Sequence, residues 1–199
     1  MDKKDYKILV VDDQKHNIDV LVDVLSPLYD VMVAKDGMTA IKMAREQMPD
    51  LILLDIVMPD ISGYNVIATL KESEETHHIP VIFITSLDQH KYEEKGLELG
   101  AVDYITKPFS NAVVLARVKT HLQMVEYKRS AENTDDPDAE LLADILNRLE
   151  PLLRAGDAKA VRLTDELRQI GGTEEIVRLI EDYDFAQALN ALHYFVTNR

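Results

Sequence analysis

Residues Leu51-Ile52-Leu53-Leu54 form an apolar run too short to cross a membrane and suited to a strand buried on both faces. Asp55 ends the run, and Pro59 and Gly63 punctuate the turn beyond it. Such a strand belongs in a layered α/β sheet. Asp55 is then expected at the carboxyl edge, where open α/β folds place their ligand sites.

The rest of the N-terminal part repeats this alternation. Lys7 to Val11 (KILVV) is a β-branched run that stops at Asp12-Asp13, and Ile18, Leu21, Val22 and Leu25 follow at helical spacing. Val31 to Ala34 precedes a helix carrying Ala40, Ile41, Ala44 and Met48; Leu51 to Asp55 precedes one carrying Val66, Ile67 and Leu70. Pro80 opens Val81 to Ile84, which Thr85-Ser86 closes, and a weaker helix is predicted around Tyr92 to Leu99, interrupted by Gly96. Val102 to Ile105 is the last strand, and Ser110 is placed to cap the final helix. Five strands alternating with five helices predict a parallel sheet with right-handed crossovers and helices on both faces. Asp12, Asp13, Asp55, Thr85 and Lys107 then fall at or just past strand ends on one edge.

At 199 residues and 46% apolar content, the chain has room for one ordinary domain and a smaller one. Its net charge of −14 argues against nucleic-acid binding, which needs clustered Lys and Arg. Cysteine is absent, which excludes disulfides and thiolate metal sites and suits a reducing compartment. No stretch approaches the roughly 20 apolar residues of a membrane helix, and Met1 leads into Asp2-Lys3-Lys4-Asp5 rather than a signal core. The expectation is a soluble cytoplasmic protein.

Beyond the fifth strand, Leu115, Val118, Leu122 and Val125 follow a 3-4-3 spacing. It fits either a coiled-coil stripe joining two copies as a homodimer or packing of this helix on its own sheet. The acidic, Pro-containing stretch Ala131 to Asp138 reads as a linker. Residues 139–199 are predicted to be a small all-α bundle. Its first helix carries Leu142, Ile145 and Leu149 and is kinked or ended by Pro151; its second is capped by Asp157, carries Val161, Thr164 and Leu167, and stops at Gly171-Gly172. Glu174 to Glu181 and a segment capped by Asp184 complete it. The expected division is a domain over 1–127, a linker over 128–138 and a helical interaction domain over 139–199.

Three carboxylates on one edge repel one another unless a cation joins them. Oxygen ligands without His or Cys favour a hard ion, of which Mg²⁺ is the obvious cellular candidate. Asp13 and Asp55 are the preferred direct ligands, with Asp12 holding a coordinating water or orienting the others. A carboxylate can attack phosphorus to form an acyl phosphate. Lys107 would add a second positive charge, and Thr85 a hydroxyl for a phosphoryl oxygen. Movement of Thr85 would open space for the Tyr104 ring and turn a local charge event into a changed surface. Taken singly, these residues read as a helix cap, a structural Thr and a loop Lys. Taken jointly, they point to phosphoryl chemistry.

The segments KILVVDD, LILLDIVMPDISGY, VIFITS and AVDYITKPF, in this order, resemble the receiver domain of two-component response regulators over about residues 6–127. The resemblance implies a flavodoxin-like, doubly wound five-stranded sheet of order 2-1-3-4-5. It makes Asp55 the phospho-acceptor and Asp12 and Asp13 the acidic Mg²⁺ pocket. It adds the backbone carbonyl of Val57 to the metal ligands, pairs Thr85 with Tyr104 as the switch, sets Lys107 against the phosphoryl group, and implies a cis bond before Pro108. The implied donor is a histidine kinase or histidine phosphotransfer protein, docking near the helix after Asp13. The chain is expected to be a response regulator, or the receiver end of a hybrid kinase. It is expected to signal through protein contacts rather than DNA, and not to be an enzyme. The tail is similar to a degenerate histidine phosphotransfer bundle, since its one histidine, His193, is followed by Tyr194-Phe195-Val196 rather than Lys and Gly. Two alternatives are an aspartate-nucleophile phosphatase of haloacid-dehalogenase type, whose second Asp is missing from Asp55-Ile56-Val57, and a scaffold whose tail mainly dimerises.

Overall fold

Every residue of Leu51–Asp55 is buried, because this strand, β3, has a neighbour on each side and helices over both faces. The computed structural model describes residues 6–86, 96, 99–132 and 137–198. β1 (Lys7–Val11), β2 (Asp30–Ala34), β3, β4 (Val81–Thr85) and β5 (Asp103–Thr106) form one parallel sheet of order β2-β1-β3-β4-β5. This is the flavodoxin-like arrangement expected from the sequence. The order reverses direction between β1 and β3, so a crevice opens beyond their carboxyl ends.

The two-residue period of the strands sorts the core into two layers. Ile8, Val10, Leu51, Leu53, Ile82 and Ile84 pack with Leu21 and Leu25 of α1 (Lys15–Leu25) and with Val114, Val118 and Leu122 of α4 (Asn111–Glu132). Leu9, Val11, Ile52, Leu54, Val81 and Phe83 pack with Ala40 and Ala44 of α2 (Gly37–Gln47) and with Val66, Ile67 and Leu70 of α3 (Gly63–Glu72). Val118, Leu122 and the partly buried Leu115 thus serve their own sheet, the second of the two readings of that spacing. Ser110 Oγ accepts the Val113 N–H at 3.3 Å, as a cap should. Met48 departs from its expected place on the α2 core face. It leaves the helix in the left-handed conformation at φ 48° and is 42% exposed, because Pro49 forbids another helical residue before it. The helix predicted around Tyr92 to Leu99 lies outside the described residues apart from Gly96 and Leu99.

One carboxylate fixes α4 against the sheet. Asp103 Oδ1 accepts from Arg117 Nη1 at 2.5 Å and from the Tyr104 N–H at 2.8 Å, and Oδ2 lies 3.2 Å from His121 Nε2. Arg117 and His121 are four residues apart on one face of α4. Burial works to raise the Asp103 pKa, but the bonds from His121 and Arg117 outweigh it and hold it at about 2.

The chain divides into two compact units, residues 1–122 and 123–199. In the second, Met124 and Tyr127 of α4 pack with α5 (Pro137–Ala155), a 3-10 turn (Ala158–Leu163), α6 (Thr164–Leu167), α7 (Glu174–Glu181) and α8 (Phe185–Thr197). Of the stretch expected as a linker, residues 128–132 belong to α4, Pro137-Asp138 open α5, and 133–136 lie outside the described residues. Pro at a first helical position costs no hydrogen bond. Pro151 does not end α5, which runs on to Ala155. Burial of Leu149 and Leu153 on either side holds the turn despite the missing N–H. The segment after Asp157 is a 3-10 turn followed by one α turn, where Thr164 Oγ1 donates to the Val161 carbonyl at 2.8 Å. Among the described residues, no helix is long and apolar enough to cross a membrane.

Two measurements test this description. Asp103 is depressed in the folded state, so its stabilisation is present above the unfolded pKa and is lost as pH falls through that range toward the folded value. Asp103→Asn should cost about 2 kcal/mol at neutral pH, and in urea denaturation the gap from the unsubstituted chain should close from about pH 4 downward. A Cβ on Gly63 would stand 2.3 Å from the Asp55 carbonyl oxygen and 2.9 Å from Ile56 Cα, and backbone cannot yield as a side chain does. Gly63→Ala should destabilise by about 2 kcal/mol or more. Gly171→Ala, with nothing within 4 Å, should stay within about 0.5 kcal/mol.

Candidate functional site

Register alone brings the acidic residues together. Val11 pairs with Leu54, so the next residues, Asp12 and Asp55, stand side by side beyond the switch point. Both are buried, at 1% and 3% exposure, whereas Asp13 faces solvent. Asp12, Asp13 and Asp55 each offer a carboxylate oxygen, and these atoms lie within 4.8 Å of one another.

Lys107 lies one residue past β5 and closes the group. Its backbone N–H donates to the Thr85 carbonyl at 2.7 Å, and its Nζ donates to Asp12 Oδ2 and Asp55 Oδ2, both at 2.7 Å. Burial pushes the Asp55 pKa up and the nearby Asp12 charge adds to this, while Lys107 and the Val57 N–H work against it; the net shift is upward. Burial would lower the Lys107 pKa, but its bonds to Asp12 and Asp55 outweigh burial and raise it, so the ammonium stays charged.

The remaining sequence-derived residues are placed as follows. Val57 N–H donates to Asp55 Oδ1 at 3.1 Å, which sets its backbone beside the carboxylate. Thr85 ends β4, buried and level with Thr106 of β5. Tyr104 pairs in register with Phe83, two residues before Thr85. By strand alternation, Thr85 and Tyr104 share a sheet face, and Tyr104 packs against the core on that face. The Lys107–Pro108 bond is cis. His193 lies in the second unit, with Nε2 3.0 Å from Glu150 Oε1, and Glu150 also accepts from Arg154 Nη2 at 2.6 Å.

Two residues escaped the sequence reading. Asn17 Nδ2 donates to both oxygens of Asp12, each at 3.0 Å, while Asp12 Oδ1 also accepts the Gln14 N–H at 2.8 Å. The signal was the position of Asn17 in the first turn of α1, five residues after Asp12. Asp60 Oδ2 accepts the Gly37 and Met38 N–H groups at 2.9 and 3.2 Å, tying the loop after Asp55 to the start of α2. That contact spans 23 residues and left no local sign.

The arrangement is a buried carboxylate in an acidic, oxygen-only pocket beside a fixed cation. Such a donor set fits a hard divalent ion better than a soft one.

Residues 8–119 match the response regulator receiver domain family. A probable cyclic di-GMP phosphodiesterase from Vibrio cholerae is 42% identical over 151 residues, which are 76% of this chain and 34% of that protein. Response regulator PleD from Caulobacter vibrioides is 44% identical over 115 residues, 57% of this chain and 25% of that protein. The chain thus spans about a third and a quarter of these two relatives. Among solved structures, the BeF3-activated receiver domain of DrrB, a Thermotoga maritima protein, is 36% identical, with TM-score 0.55 over 59% of this chain and 97% of that one. The receiver domain of a signal transduction histidine kinase from Syntrophus aciditrophicus is 33% identical, with TM-score 0.55 over 59% of this chain and 89% of that one.

The expectation that the chain is not an enzyme is corrected by these relatives. It rested on seeing no output domain, yet the Vibrio cholerae relative bears an enzyme's name, and the match covers only about a third of that protein. The phosphatase alternative names a different family from the one matched. The switch-point geometry and the match over residues 8–119 agree that this chain belongs to the response regulator receiver family.

Proposed function

We propose that Asp55 accepts a phosphoryl group from a histidine kinase or histidine phosphotransfer protein in the cytoplasm, and that the chain passes the signal on by protein contact. The observation that carries this reading is the single ammonium of Lys107 shared at 2.7 Å by buried Asp12 and Asp55. Two adjacent buried carboxylates are unfavourable unless a positive charge joins them, and a site so built is prepared for more negative charge.

In the proposed reaction an Asp55 oxygen forms a bond to phosphorus as the phosphorus–nitrogen bond to the donor imidazole breaks. Burial makes this carboxylate more basic than an exposed one, and hence a better nucleophile. Asp13, Asp55 and the Val57 backbone would hold Mg²⁺, with Asp12 oriented by Asn17 beside them. When bound, the ion supplies neutralisation of phosphoryl charge. Lys107 exchanges part of its carboxylate contact for a phosphoryl oxygen, and the Thr85 hydroxyl donates to another. Movement of Thr85 draws Tyr104 with it along their common face, which alters the surface over β4 and β5. The donor approaches over α1, whose first turn borders Asp12 and Asp13. The acidic helical unit, with no excess of Lys or Arg, suits a protein partner better than DNA.

Incubation with Mg²⁺ and a small acyl phosphate should add one phosphoryl group, detected by intact-protein mass. Asp55→Asn should abolish it, chelation of the metal should suppress it, and Lys107→Ala should slow it by about 10²-fold. Persistence of the mass shift in Asp55→Asn would defeat the assignment. Independently, Lys107→Met should push the Asp55 titration midpoint further up, since the group that opposes burial is gone. Carboxyl ¹³C NMR of the metal-free protein reads this directly, and an unchanged midpoint would mean that Lys107 does not govern Asp55.

A further inference from the structure

The second unit carries a cavity of about 840 Å³ along α7 and α8 that the receiver chemistry does not use. On α8 and the residue just past its end, its lining is Gln187, Asn190, Ala191, Tyr194, Phe195 and Asn198. These fall at i, i+3, i+4, i+7, i+8 and i+11, so the lining follows one helical face for about 16 Å, at about 1.5 Å of rise per residue, with Ala191 and Phe195 partly buried at its base. Ile176 and Leu179 of α7 supply an apolar wall, and Glu175 is the charged residue in the lining. Tyr194 stands on the margin at 72% exposure, one of the few large hydrophobic side chains left so open to solvent among the described residues.

We propose that this groove docks an amphipathic helix of a partner protein, three turns long, with an aliphatic stripe flanked by lysine or arginine. The length of the open face sets the length of the occupant, and its apolar wall beside exposed Tyr194 suits aliphatic anchors at i, i+4 and i+7. Charge sets the flanks. Glu175 lines the groove, its pairing with Arg178 is a weak exposed contact at 4.0 Å, and Glu174 and Asp182 add exposed acids at the two ends of α7, whereas Glu181 is held by Arg168 at 2.5 Å. Residues 131–199 carry 7 Lys and Arg against 15 Asp and Glu. A second copy of a chain with net charge −14 would bring like charge to the same face, so the geometry points to a basic partner instead. The proposal rests on the reading that the helical unit acts by protein contact, and it is independent of chemistry at Asp55.

The test uses the full chain and fluorescence anisotropy of labelled probes. A roughly 14-residue helical peptide with leucines at i, i+4, i+7 and i+11 and lysine flanks should bind saturably, whereas its glutamate-flanked counterpart should bind at least about tenfold more weakly. Exposed Glu175→Lys, which cannot disturb the core, should weaken the first and strengthen the second by about tenfold each. Ala191→Trp, filling the groove floor, should abolish both, with circular dichroism confirming its fold. Equal binding of the two peptides, indifference to Glu175→Lys, or no binding of the lysine-flanked peptide overturns the proposal. Self-association that Ala191→Trp removes overturns it in favour of a second copy. A labelled DNA duplex is the separate arm: its binding overturns the protein-contact reading, while failure of peptide and duplex together overturns the groove alone.

Discussion

Asp12, one residue past β1, and Asp55, the last residue of β3, are neighbouring buried carboxylates that repel one another, and the Lys107 ammonium between them offsets that repulsion. Its two bonds at 2.7 Å do more than neutralise charge. They tie the loop after β5 across β3 to the loop after β1, so three of the five strands end in one electrostatic unit. A buried pair of this kind contributes little net stability compared with an apolar substitute, but leaving any member unpaired is costly. Removal of any one of the three charged groups would therefore leave the others unbalanced.

Other acids anchor the surroundings of that unit. Asp12 receives Gln14 and Asn17 as well as Lys107, which holds the entry to α1. Asp60 binds the first N–H groups of α2, and so braces the loop that follows Asp55. Asp103 joins β5 to α4 one residue before Tyr104. Each is a carboxylate spanning two elements, and together they set the frame in which Asp55, Thr85 and Tyr104 sit.

The α/β alternation, the sheet and the edge bearing Asp12, Asp55, Thr85 and Lys107 were legible because their signals are local. β-branched runs, helical spacing and strand-end acids each occupy a few residues. Asn17 was missed because an Asn in a first helical turn looks like ordinary helix-start chemistry until a strand-end carboxylate is placed beneath it. Asp60 and Asp103 were missed because their partners are known only once β5, α2 and α4 have been positioned. Pro151 misled for a related reason: a proline's local cost is visible in the sequence, while the burial of Leu149 and Leu153 that offsets it is a property of the packed unit. The non-enzyme reading failed on grounds of extent, since a receiver reveals nothing about longer chains in which it is found.

α4 gives residues to two different cores: Val114, Val118 and Leu122 to the layer under the sheet, and Met124 with Tyr127 to the helical unit. The boundary at residue 122 therefore falls inside a helix rather than in a loop. Each residue inserted or deleted near Gln123 would rotate the second set of side chains by about 100° around the helix axis relative to the first. Splices near Gln123 that preserve the helical phase, such as seven residues at a time, are the ones that would keep each stretch of α4 facing its own core.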